Sequence, residues 1–144
     1  HYKFGAPADW HVAPISEYAT MHPWEDFAET FAHYLHITGT LGTAAATGLQ
    51  LDASVVAARD EDVVPLSSYQ GESIQRLLSD WAWFSRVFNR VNRSMGMGDL
   101  YPFELTPRVG VKLAFMHRLI SSAAAIRMAN ASGADGLVLV SPEG

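Results

Sequence analysis

Four side chains able to hold a metal or move a proton recur within a dozen positions: Glu25, Glu29, His33 and His36. At about 100° per residue they fall in one helical stripe about 80° wide. Carboxylate and imidazole are ligands that zinc accepts, and one helical face can present two of them. The same stripe also suits a solvated face, on which Glu29 and His33 are an ordinary i,i+4 pair. The residue types alone leave both readings open.

Positioning that stripe requires a helix, and His22 to Ile37, HPWEDFAETFAHYLHI, supplies one. Pro23 suits the first helical position, where its fixed φ helps and no amide donor is lost. Glu25 and Asp26 follow in the first turn, where the helix dipole favours negative charge. Trp24, Phe27, Ala28, Phe31 and Leu35 occupy the opposite side and are expected to face the core. Gly39 and Gly42 weaken the helix by about 1 kcal/mol each relative to Ala. Leu41 and the Ala44–Ala46 run resume the pattern until Gly48 supplies a stop.

Two further helices are legible. In Glu72 to Ser94, residues Ile74, Leu77, Leu78, Trp81, Phe84, Phe88 and Val91 recur at three- and four-residue steps. Arg86, Arg90 and Arg93 share another face, suited to ion pairs with Asp80 and Glu72 or to gripping a phosphate or carboxylate. Thr106 and Pro107 read as cap and first residue of a third helix with a stripe of Val109, Leu113, Met116, Leu119, Ile120 and Ala123. Tyr101 and Phe103 before it should pack across helix ends. His117, among apolar neighbours, reads as a core or edge histidine, and His11 as a surface residue. Leu49 to Gln70 reads as a connection, long for a compact domain. Its Asp60–Asp62 cluster lacks the glycine and terminal glutamate of a calcium loop.

The bulk properties are those of one globular domain. The chain has 144 residues, 49% hydrophobic, with mean hydropathy +0.05. A net charge of −5 argues against nucleic acid or an anionic membrane as partner. The absence of cysteine rules out disulfides and thiolate metal sites and fits a cytoplasmic location. No uninterrupted apolar run approaches the roughly 20 residues of a membrane span. The expected fold is mainly α: a single domain over 1–130 with about three long helices packed around Trp24, Phe27, Phe31, Trp81, Phe88 and Met116. Residues 131–144 form a tail of unassigned structure.

Tyr18 to Ile37, YATMHPWEDFAETFAHYLHI, and Leu100 to Ile120, LYPFELTPRVGVKLAFMHRLI, resemble a bacterial family called "putative zinc-binding metallopeptidases". WEDFAE, with a tyrosine seven residues before its first glutamate, also looks like the second half of a gluzincin site, including the third-ligand helix of lethal-factor-like members. The resemblance implies that Glu25 is the third zinc ligand. It implies that Glu29, one turn on, orients a ligating histidine, and that Tyr18 hydrogen-bonds the developing oxyanion. His22, His33 and His36 lie inside the similar string as possible metal residues with no role to transfer.

The chain departs from that pattern in one respect. A gluzincin needs H-E-x-x-H, and here no two histidines stand four apart and no histidine precedes a glutamate. The general base and two of three protein ligands are therefore missing. The chain opens at His1, and the expectation is that it forms the C-terminal part of a longer peptidase. Its partners would then be a peptide or protein substrate and an upstream HExxH-bearing segment of the same protein. On its own it is expected to be inactive. Two other readings stand beside this one: a non-catalytic helical binding or scaffold domain, and a metal site built from Glu25, Glu29, His33 and His36 within the chain or its dimer.

Overall fold

The computed structural model describes Ile15, residues 22–55 and residues 61–134. These residues form three helices, α1 (Pro23–Ala46), α2 (Ile74–Ser94) and α3 (Pro107–Ala134), each packed against the other two. Among the described residues there is no strand, only an isolated antiparallel bridge between Leu51 and Val63 in the α1–α2 connection. The mainly α, single-domain expectation holds. The third helix runs through residues 131–134, which the sequence left in the tail.

The helix ends follow the sequence signals. Pro23 opens α1, and the His22 side chain caps it, Nδ1 accepting from the Trp24 amide at 3.2 Å. Gly39 and Gly42 do not break α1, because Ile37, Leu41 and Ala44 around them are buried. Tertiary burial here outweighs the propensity cost. Thr47 is the C-cap, and Gly48 follows at φ 71°, a left-handed conformation that glycine adopts without strain. Ser73 Oγ caps α2 by accepting from the Arg76 amide at 3.1 Å. Thr106 leads into α3, its carbonyl accepting from Gly110 N at 2.9 Å.

The rotation of α1 about its axis corrects the sequence reading. Trp24 is 75% exposed, and Phe27, Phe31 and Leu35 also face out. The buried face is Thr30, His33, Tyr34, Ile37, Leu41 and Ala44. The apolar side chains of the first three turns marked the wrong face. The core-facing row begins with a threonine, a histidine and a tyrosine, whose polar groups find partners inside. Thr30 Oγ1 donates to the Asp26 carbonyl at 2.7 Å, and the rings of His33 and Tyr34 are hydrogen-bonded to other elements. A row that is polar by composition can be buried when every donor and acceptor is satisfied.

The remaining core matches expectation better. Leu77, Trp81 and Phe84 of α2 and Val109, Leu113 and Met116 of α3 are buried with Ile37 and Leu41. Phe88 is partly buried against them, whereas Val91 and Leu119 are exposed. Of the six expected core anchors, Trp24, Phe27 and Phe31 therefore lie outside. By length and average composition the span 107–132 of α3 is apolar enough to cross a membrane. Counting uninterrupted runs missed this, because Arg108, Lys112, His117 and Arg118 break the runs without offsetting the average. Its Val109–Leu113–Met116 face is nonetheless packed in the core.

Polar contacts tie the elements together. Lys112 of α3 donates to both carboxylate oxygens of Asp26, at 2.7 and 2.6 Å, pinning the start of α1. Asp80 of α2 is buried, and its Oδ2 accepts from Tyr69 Oη and Arg76 Nε, each at 2.8 Å. Arg76 reaches on to the Val64 carbonyl at 2.9 Å, so this cluster anchors the α1–α2 connection to α2.

Candidate metal-ligand face

Glu25 and Glu29 stand one turn apart on α1 and are both half-buried, with Oε2 of Glu25 shielded from solvent. Their row continues into the interior at His33, which is only 5% exposed. His33 Nδ1 lies 2.8 Å from Tyr101 Oη, and His33 Nε2 lies 3.7 Å from Glu29 Oε2, just beyond hydrogen-bond length. Phe103 closes over the imidazole edge-on, ring centroids 4.5 Å apart. Burial pushes the His33 pKa down from its ordinary value, with Glu29 opposing and His36 adding to the shift. His36 itself is exposed, its ring centroid 6.3 Å from that of His33.

The stripe therefore crosses from surface to core rather than forming one open face. Glu25 and Glu29 sit at the boundary, His33 is inside, and His36 is in solvent. His22 lies at the N-cap with one ring nitrogen committed to the backbone. Tyr18 lies outside the described residues, as does His11.

A second buried histidine–tyrosine pair lies beside the first. Tyr34 Oη is 2.9 Å from His117 Nδ1, and His117 Nε2 is 2.8 Å from the Glu72 carbonyl. A carbonyl can only accept, so His117 carries its proton on Nε2 and accepts from Tyr34 at Nδ1. This is the satisfied core histidine that its apolar neighbours suggested.

The arginine trio of α2 does not form one anion site. Arg93 pairs with Asp99, rather than with Asp80 or Glu72. The Arg86 guanidinium lies 5.3 Å over the Trp83 ring. Asp80 is taken by Arg76.

Tyr101 is the participant the sequence reading missed. As expected of a residue that packs across helix ends, it stacks edge-on against Trp81, ring centroids 4.9 Å apart. Its backbone is held by both ends of the Asn89 amide: Nδ2 donates to the Tyr101 carbonyl at 2.9 Å, and the Tyr101 amide donates to Oδ1 at 2.8 Å. The signal available in sequence was a phenol in LYPFELTP, since a buried tyrosine hydroxyl usually requires a partner.

Structural and catalytic zinc sites take at least three protein ligands. Among the described residues no three His, Asp or Glu side chains converge as a metal-binding group. The described residues by themselves do not fit a zinc centre, and a site combining Glu25, Glu29, His33 and His36 within one chain is not formed. His33 is already engaged at Tyr101 and faces Glu29.

Comparison with known proteins places the chain. Proteins of Mycobacterium bovis and of Mycobacterium tuberculosis strain H37Rv, both named only as uncharacterised, are 43% identical to it over 124 residues. The match covers 86% of this chain and 34% of each relative, so the chain spans about a third of the length of the curated relatives it matches. No solved structure matches it. The model of one family, described as "Putative zinc-binding metallo-peptidase", matches residues 1–119. The chain belongs to that metallopeptidase family.

Proposed function

We propose that this chain is the part of a zinc-dependent metallopeptidase that supplies the third protein ligand. Glu25 is that ligand, and Glu29 orients a histidine ligand contributed from outside these 144 residues. Tyr18 donates to the oxyanion that develops as the peptide carbonyl is attacked. The observation that carries the reading is the pair of half-buried carboxylates one turn apart at the start of α1, in a chain of this family. Half-burial matters, because a carboxylate at a shielded boundary loses less to competing water than one in bulk solvent.

When bound, zinc polarises the scissile carbonyl and the attacking water. The residues of this chain hold and orient. Asp26, tied to Lys112, fixes the first turn of α1 against α3 and with it the direction of Glu25. Glu29 stands one turn from Glu25 with Oε2 3.7 Å from His33 Nε2, which puts its carboxylate beside the proposed ligand. Two histidines and a general-base glutamate are supplied by a further part of the protein, which agrees with the absence of HExxH here and with a match that covers 86% of this chain but 34% of each relative.

The test is peptide hydrolysis by the full-length protein and by its Glu25→Ala variant. The reading expects activity in the first, none in the second, and none from the 144-residue chain alone. Unchanged hydrolysis after Glu25→Ala would overturn it. That result would favour a non-catalytic helical module, a reading with one observation on its side: the outward-facing Trp24, Phe27, Phe31 and Leu35 form an apolar surface suited to a partner.

A further inference from the structure

We infer that the groove between α1 and α3, together with the outward apolar stripe of α3 that runs from it, is the seat of a further part of the same polypeptide. The inference rests on the proposed function only in taking this domain to be completed by another part of the protein. It needs neither metal nor hydrolysis.

The groove opens where the two helices begin. Phe27 of α1 and Val111 and Phe115 of α3 line a space of about 230 Å³. An engineered apolar cavity of about 150 Å³ holds benzene, so this groove admits a branched or aromatic side chain. Its polar walls are already satisfied. Asp26 and Lys112 bind each other, and Thr30 Oγ1 donates to the Asp26 carbonyl. What the groove has left to offer is apolar surface, which selects an apolar occupant over an ion.

The stripe continues from the groove along α3. At about 100° per residue, Val111, Phe115, Leu119 and Ile126 fall within an arc of about 80°. All four are exposed, Val111 at 70% and Ile126 at 62%. This arc lies away from the Val109–Leu113–Met116 face that is packed in the core. A helix apolar on two faces is built to be covered on both, inside a larger protein or in a bilayer. Charge decides between the two covers. Arg108 shares the arc, Arg118 borders it, and both are exposed. A bilayer excludes such guanidinium groups, whereas a protein surface can pair them.

The length of the relatives supplies the cover. The match takes in 86% of this chain but 34% of each relative, so most of such a polypeptide lies outside this domain and has to pack against something. Phe27 follows Glu25 within the first turns of α1. A segment seated in the groove is therefore held at the same end of α1 as the carboxylate that the rest of the protein must reach.

The experiment uses the full-length protein. Carbene footprinting, read by mass spectrometry and scaled to the urea-unfolded protein, reports the exposure of Val111, Phe115 and Ile126. We expect all three to lose labelling down to the level of the buried Leu113. A photoreactive benzoylphenylalanine placed at Val111, itself an exposed position, then identifies the cover. We expect a cross-link at monomer mass to a peptide outside these 144 residues. Labelling well above that of Leu113 would overturn the inference. So would a cross-link at twice the monomer mass, which assigns the face to a second copy, a cross-link confined to these 144 residues, or no cross-link at all. Protection that appears only when vesicles of phosphatidylcholine and phosphatidylglycerol are added would assign the face to a bilayer and overturn it too. Protection and the expected cross-link in a protein that hydrolyses no peptide would sink the catalytic reading alone. An open face in a protein whose hydrolysis depends on Glu25 would sink the docking surface alone.

Discussion

His33 is buried as a neutral ring, and that has a consequence for acid stability. Burial depresses its pKa below the ordinary 6.5, so the unfolded chain binds the proton more readily than the folded one. Stability from this group is present above pH 6.5 and is lost as pH falls from there toward the folded pKa. Thermal unfolding measured between pH 7.5 and 5 should show a falling midpoint, and His33→Gln should flatten that slope. An unaltered slope in the variant would place the titration elsewhere. Asp80 makes the companion case for a buried charge. Asp80→Ala would strand the Tyr69 hydroxyl inside and release Arg76, for an expected loss of about 2–4 kcal/mol by denaturant titration. A loss under about 0.5 kcal/mol would show the cluster to be a passive surface pairing.

At the scale of the element, α1 is read most directly by substitutions on its two sides. Trp24→Ser should move unfolding stability by no more than about 0.5 kcal/mol, the range of surface changes. Leu41→Ala, at a fully buried position, should cost about 2–5 kcal/mol. The order of those two effects reverses if the apolar face of the first three turns is the buried one. Gly48→Ala should cost about 1 kcal/mol, because the residue after the C-cap holds φ at 71° with open space around it.

That same helix marks the limit of what the sequence made legible. Its start at Pro23 and its stop at Gly48 were written locally, in ring constraint and the left-handed turn, whereas its passage through Gly39 and Gly42 rests on the burial of Ile37, Leu41 and Ala44. Its rotation was not written locally either. A hydrophobic stripe points at the core only when polar residues on the other side lack partners inside, and here Tyr101 lies 68 residues from His33, His117 lies 83 from Tyr34, and Glu72 lies 45 from His117. On α2 and α3 the buried polar residues Asp80 and His117 sit beside the apolar stripes rather than replacing them, and Leu77, Trp81, Phe84, Val109, Leu113 and Met116 are buried as their spacing indicated. Glu25 and Glu29 were singled out from spacing and resemblance. The bond from His33 to Tyr101 was invisible, because periodicity along one helix carries no information about the loop that meets it.

At the scale of the molecule, three helices among the described residues fold around one core and present a carboxylate pair at one end of α1, in a chain whose match covers 34% of its mycobacterial relatives. In the proposed metallopeptidase, Glu25 belongs to a metal centre that this domain completes and does not build alone. The direct measurement is metal analysis of the full-length protein, dialysed against chelator-free buffer, beside its Glu25→Gln variant. Glutamine keeps the shape of the side chain and removes its charge, so a folding defect is not expected at this half-buried position. We expect stoichiometric zinc in the wild type and a loss of at least about tenfold in zinc affinity in the variant. Equal zinc in the two proteins, with both folded, would contradict it.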